Sequence, residues 1–194
     1  MRVIAGQYRS RPLRSLRGMD IRPTSDRLRE TLFNVLCAGN PEALAGSVWL
    51  DLYAGTGAVG IEALSRGAAM VYFVETSKAA AGLIEANVRS LGIGGGFRIP
   101  KTEVAKALPQ LEREGVVADF VFLDPPYRMR EEYGRTLSAV AGSKLLRESS
   151  VVIAEHEKKF DPGDAHDALH RCRTLIQGDA GLSLYRMSNA ALPE

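Results

Sequence analysis

Hydrophobic positions along the chain alternate between short continuous runs and helical spacing, at the rhythm of strand–helix–strand units. Ser47 to Leu52 reads as a buried strand, followed by a glycine-rich turn and a helix over roughly Val59 to Arg66. Ala69 to Glu75 predicts a second strand, and Ser77 to Leu91 a helix for which Ser77 is a suitable N-cap. After Gly92-Ile93-Gly94-Gly95-Gly96, Phe97-Arg98-Ile99 reads as a third strand and Glu103 to Leu111 as a helix. Asp119 to Leu123 and Ser150 to Glu155 are the fourth and fifth strands, with a helix over Glu131 to Ala141 between them. Leu169 to Gln177 and Leu182 to Met187, separated by Gly178-Asp179-Ala180-Gly181, predict a closing antiparallel hairpin. The succession implies an α/β fold with a mostly parallel, seven-stranded twisted sheet and helices on both faces.

Ahead of this core, Arg2 to Gly6 and Tyr8 to Leu13 suggest short strands. After Pro23, Thr24 and Ser25 offer N-caps to a helix with Leu28, Leu32, Phe33 and Leu36 on one face. The expected organisation is one domain over 1–194, with a basic N-terminal extension over 1–40 and the α/β core over 41–194.

Composition changes this picture little. A chain of 194 residues with 45% hydrophobic content suits a single domain with a sizeable core. No stretch approaches the roughly 18 apolar residues of a membrane span, and Met1 to Gly6 is too short for a signal peptide, so a cytoplasmic protein is expected. Cys37 and Cys172 lie far apart outside any C-x-x-C spacing; both are expected to be buried small hydrophobes. His156-Glu157 has Phe160 where a metalloprotease helix would carry its second histidine, and no metal is expected. Charge is more informative. The formal net charge is only +2, yet Arg2, Arg9, Arg11, Arg14, Arg17, Arg22, Arg27 and Arg29 face only Asp20 and Asp26 before Glu30.

Two motifs carry chemistry. Asp51-Leu52-Tyr53-Ala54-Gly55-Thr56-Gly57-Ala58-Val59-Gly60 runs from strand through glycines into helix, where free N–H groups can face a carboxylate or phosphate. Glu75 ends the next strand, about 20 residues on, where a carboxylate can accept from a ribose; this is a Rossmann-like arrangement. Asp51 ahead of the glycines could face a cationic amino group, which points away from NAD and toward S-adenosylmethionine. Trp49 and Tyr53 flank the turn and read as core.

The second motif, Asp124-Pro125-Pro126-Tyr127, follows the apolar run that ends at Leu123. An exocyclic amine is a poor nucleophile because its lone pair is delocalised into the ring. Accepting hydrogen bonds from both its hydrogens turns that lone pair toward an incoming methyl. Asp124 supplies one acceptor and the Pro125 carbonyl a second, and proline has no N–H to compete as donor. Tyr127 can lie on the face of an unstacked base, a contact worth roughly 1–3 kcal/mol. Catalysis of this kind is mainly positioning.

Together these segments resemble the class I S-adenosylmethionine-dependent methyltransferases of exocyclic amines. More narrowly, Arg22-Pro23-Thr24-Ser25-Asp26-Arg27-Leu28-Arg29-Glu30-Thr31-Leu32-Phe33-Asn34-Val35-Leu36 and Asp51 to Ala68 resemble the bacterial 16S ribosomal RNA guanine-N2 methyltransferases of the RsmD type. The resemblance implies methyl transfer to N2 of a guanine in 16S rRNA, on a 30S subunit or its precursor; a monomer with no DNA or membrane partner is expected. Carried onto this chain, it implies cofactor contacts from Asp51, Ala54, Gly55, Thr56, Gly57, Glu75, Thr76, Glu103 and Val104. Asp124 borders both ligands and counts with the cofactor contacts as well as with Pro125, Pro126 and Tyr127 at the acceptor. Glu103-Val104 stands where the family often has Asn-Ala or Asp-Ala, and Ser77 replaces a common Asp. RNA contacts are expected from Arg9, Arg11, Arg14, Arg22, Thr24 and Arg29. Adenine-N6 transfer to nucleic acid and glutamine transfer to protein are the competing activities.

Overall fold

The computed structural model describes residues 1–15 and 25–188. The chain divides into two compact units, Met1–Glu103 and Val104–Glu194.

The first unit contains helix α1 (Asp26–Leu36), strand β1 (Val48–Leu52), α2 (Ala58–Ser65), β2 (Met70–Val74), α3 (Lys78–Leu91) and β3 (Phe97–Arg98). β1 and β2 pair in parallel from Val48↔Met70 to Leu52↔Val74, and β2 pairs in parallel with β3. Both long strands are buried apart from their first residues, as expected of parallel strands covered by helices. Ser25 caps α1 by accepting from the Leu28 N–H, and Ser77 caps α3 by accepting from Ala80. Trp49 is fully buried and stacks on Phe33 at 5.4 Å, so it is core, as its place beside the strand suggested.

Close packing of α2 on β2 depends on Gly60. A Cβ there would stand 2.3 Å from Phe73 Cε1 and 2.7 Å from Val71 Cγ1, both within the buried sheet. Gly60→Ala is therefore expected to destabilise the protein by about 1–3 kcal/mol despite alanine's better helix propensity. Chemical denaturation checks this; an unchanged midpoint would show that Phe73 yields freely.

The N-terminal arm does not form the two short strands expected of it. Its backbone makes a single antiparallel bridge, Arg2↔Pro12, and much of the rest is anchored to α2. The buried Glu62 carboxylate accepts from the Ile4 N–H (2.7 Å) and the Ala5 N–H (3.0 Å), and also pairs with Arg66 at 2.8 Å. Gln7 N–H donates to the Ser65 carbonyl and Tyr8 N–H to the Ser65 hydroxyl. Between them Gly6 approaches α2 so closely that a Cβ would lie 1.9 Å from the Ser65 carbonyl oxygen.

The second unit contains α4 (Val104–Arg113), β4 (Ala118–Leu123), α5 (Glu131–Ala141), β5 (Leu146–Glu157), β6 (Ala165–His166), β7 (Leu169–Gln177) and β8 (Ala180–Met187). β4 pairs in parallel with β5, while β5–β8, β8–β7 and β7–β6 are antiparallel. The hairpin at the end is therefore present. The strands described number eight rather than seven, because the two-residue β6 adds a short partner to β7. Buried His156 packs against Gly181 and shares a 2.9 Å hydrogen bond with Ser183, a core role. Cys172 corrects the expectation of burial: it is exposed on β7, and Cys37 is only partly buried. No described helix is long and apolar enough to cross a membrane.

Candidate active site

The glycine turn opens α2 as its sequence requires. Gly55 and Gly57 have φ of 54° and 73°, values that a side chain resists, and Gly57 is the N-cap of α2 without a side-chain cap. Gly57 N–H closes the turn on the Ala54 carbonyl at 2.7 Å, and Ala54 N–H donates to the Val74 carbonyl at the end of β2. Tyr53, just ahead, also lies in the left-handed region at φ 61°.

Two carboxylates fix this turn. Glu75, half-buried, accepts from Gly55 N–H at 2.8 Å through one oxygen and from Ser77 N–H at 2.7 Å through the other. Each oxygen retains a lone pair, so the same side chain can accept from ribose hydroxyls. Asp51 is 2% exposed, and its carboxylate accepts from Gly60 N–H at 2.9 Å, tying β1 to the first turn of α2. Burial, opposed by that hydrogen bond and reinforced by the charge of Glu75, pushes its carboxyl up to about 8.

That shift has a signed consequence. Above its ordinary value of 3.8 the unfolded Asp51 ionises while the folded one keeps its proton until about pH 8. The folded state thus binds the extra proton, and the stability from the protonated Asp51 is lost as pH rises through that window. The melting temperature of the wild type minus that of Asp51→Asn is expected to fall steadily from pH 5 to pH 8. A constant difference would mean that Asp51 is ionised in the folded protein throughout.

Around the turn, Ala54, Thr56 and Gly57 are buried and Thr76 is exposed. Glu103 is exposed and Val104 is buried as the first residue of α4. One buried group escaped sequence reasoning. Asn87 on α3 is fully buried; it donates to the Thr56 carbonyl at 3.1 Å and bonds the backbone of Arg14. Its signal was a polar residue among the inward positions Leu83, Ile84, Val88 and Leu91.

In the second unit, the Asp124–Tyr127 turn follows directly on β4. Asp124 and Tyr127 are half-buried, Pro125 is buried and Pro126 exposed, and Met129 N–H donates to the Pro126 carbonyl at 2.7 Å. Leu123 pairs with Ala154, which sets Asp124 beside the end of β5 and its buried Glu155. Behind the turn stands Tyr133 of α5, 1% exposed. Its hydroxyl donates to the Glu155 carbonyl at 2.8 Å and lies 3.5 Å from the Pro125 carbonyl oxygen. Burial, then the neighbouring Asp124 and Tyr127, hold this phenol well above its ordinary range, so it stays a donor at neutral pH. Phe160 packs on Tyr133 at 4.9 Å, and Arg130 covers Phe160 while pairing with Glu157 at 3.0 Å.

The expected RNA contacts divide. Arg9, Arg11 and Arg14 are exposed on the docked arm, and Arg11 also donates to the Ser90 carbonyl at the end of α3. Arg29 is a correction. It is fully buried, its guanidinium donating to the Arg2 carbonyl at 2.6 Å and to Asp26 at 2.8 Å, so it holds arm and helix together and cannot meet a phosphate. Arg22 and Thr24 lie outside the described residues.

Among known proteins, the family described as Conserved hypothetical protein 95 matches residues 1–186. The ribosomal RNA small subunit methyltransferase D of Escherichia coli is 31% identical over 188 residues, spanning 96% of this chain and 89% of that one. The enzyme of the same name from Haemophilus influenzae is 33% identical over 165 residues, spanning 81% and 79%. A solved structure described as "Putative methyltransferase yhhF from Escherichia coli" superposes with a TM-score of 0.80 at 29% identity, covering 96% of this chain and 97% of that one.

A fold shared across nearly the whole chain places the protein among the class I methyltransferases, whose cofactor is S-adenosylmethionine. Within that class the chain belongs to the Conserved hypothetical protein 95 family, that of the RsmD-type ribosomal RNA methyltransferases. The residues present fit the cofactor: Glu75 has acceptor capacity for the ribose, and the first turn of α2, where Gly57 provides no side-chain cap, suits its carboxylate.

Proposed function

We propose that this chain transfers a methyl group from S-adenosylmethionine to N2 of a guanine in 16S ribosomal RNA. It acts in the cytoplasm as a monomer on an assembled or assembling 30S subunit, with 1–194 working as one catalytic domain. The observation that carries this reading is the turn after β4, in which a half-buried carboxylate, a buried proline and a half-buried aromatic ring follow one another.

Guanine N2 carries two hydrogens. In this reading Asp124 and the Pro125 carbonyl accept one each, which turns the nitrogen lone pair outward, and Tyr127 supports the face of the flipped base. The bound cofactor supplies the electrophilic methyl. Glu75 and the Gly55–Gly57 turn hold that cofactor, with Thr76, Glu103 and Val104 completing its contacts. The surplus proton on N2 passes to Asp124 or directly to water. Arg9, Arg11 and Arg14, all exposed, bind phosphates and fix the register of the RNA without reading its sequence, and Arg22 and Thr24 are further RNA contacts in this reading.

The test supplies labelled S-adenosylmethionine with 30S particles lacking the methylation, free rRNA, DNA and protein, and digests the labelled product to nucleosides. Label is expected in N2-methylguanosine from the particle. Label in N6-methyladenine or in glutamine would replace this reading with one of its competitors.

A further inference from the structure

We infer that Asn87 and Thr56 make the N-terminal arm part of the cofactor site, so that ordering of the arm and occupancy by S-adenosylmethionine are coupled. Thr56 is the central residue of the glycine turn and is 6% exposed. The arm reaches it at two points, at Arg14 through Asn87 of α3 and at Met1 directly. Asn87 donates to the Thr56 carbonyl at 3.1 Å and to the Arg14 carbonyl at 3.2 Å, while its side-chain oxygen accepts the Arg14 N–H at 2.9 Å. From the other end of the arm, the Thr56 hydroxyl donates to the Met1 sulfur at 3.9 Å. Leu13 N–H donates to the Met1 carbonyl at 3.1 Å and closes the arm on itself, so both contacts belong to one element.

The peptide unit between Thr56 and Gly57 is held at both poles. Its carbonyl accepts from Asn87, and its N–H donates to the Ala54 carbonyl. Left alone, a turn built on two glycines with positive φ has many accessible conformations. Asn87 selects one, and both donors and one acceptor site of this fully buried amide serve that link. A ligand that rigidifies the turn therefore rigidifies Asn87 and, through it, the backbone of Arg14. By linkage, an arm held in place favours the ligand to the same degree. If the proposed RNA role of the arginines holds, the cofactor-loaded protein is the form that best presents them; the coupling itself does not depend on that role.

Hydrogen exchange on the full chain, resolved by residue, with and without S-adenosylhomocysteine, tests it without any RNA. The ligand is expected to slow exchange at Leu13 and Arg14 together with Gly55 and Gly57. In Asn87→Ala and Asn87→Ser the slowing in the arm is expected to vanish and cofactor affinity to fall about tenfold, the weight of the one hydrogen bond that reaches the Thr56 carbonyl. Wild-type protein whose turn is protected by ligand while its arm is unchanged overturns the inference, whether or not the variants fold. So does a variant that melts earlier yet keeps the slowing in the arm, since its asparagine would then be only structural. Failure to methylate guanine would bear on the proposed function and leave this result standing.

Discussion

Asp124→Ala is expected to slow methyl transfer by about 10²–10³-fold while changing S-adenosylmethionine affinity by no more than about twofold. The reason is a division of labour. The amine gains positive charge as it attacks, and a preorganised carboxylate gives most of its stabilisation there rather than in the ground state. The turn around it is held by the Met129 N–H on the Pro126 carbonyl and by Tyr133 behind Pro125, neither of which involves the Asp124 side chain. Asp124→Asn, which keeps one acceptor oxygen and loses the charge, is expected to fall between wild type and alanine. Single-turnover rates with labelled cofactor, set beside calorimetric affinities, separate the two quantities. If affinity falls in step with rate, Asp124 is chiefly a cofactor ligand.

Glu75→Ala is expected to do the reverse and weaken the cofactor about 100-fold, as the loss of charge-assisted hydrogen bonds implies. Glu75 does two things at once: it pins Gly55 and Ser77 through their N–H groups, and it offers its remaining lone pairs to a ribose. Glu75→Gln separates these functions. Both carboxylate oxygens accept from backbone N–H, so an amide must turn its own NH₂ toward one of them and forfeit that bond. Its affinity is expected to lie between those of wild type and Glu75→Ala. Calorimetry reads this directly, and equal affinity for all three would remove Glu75 from the cofactor site.

Much of this was legible in the hydrophobic pattern. The strands that carry the two motifs, the helices after them and the closing hairpin follow from continuous apolar runs, helical spacing and glycine turns, because burial in a parallel sheet leaves little choice of residue. Ser77 announced itself as a cap for the same local reason. The misreadings arose where tertiary partners decide. The arm looks like a pair of strands, but only a few of its N–H groups meet across it, as Val3 does with the Arg11 carbonyl, while those of Ile4, Ala5, Gln7 and Tyr8 find Glu62 and Ser65 instead. Arg29 was grouped with the basic run, although it sits three and four residues before Leu32 and Phe33 and so shares their buried face. A count of charges does not see that geometry. The helical spacing marks Asn87 as an inward polar residue, but not its partners, because Arg14 and Thr56 are distant in sequence and brought together only by folding.

Because the arm is anchored largely by its main chain, its side chains are nearly independent of its attachment. Glycine at position 6 is obligatory, but Arg9, with its exposed side chain, can be exchanged without releasing it. Such a surface can be retuned to a different partner one residue at a time while its anchorage stays constant, which is the property a designer seeks in a grafting site.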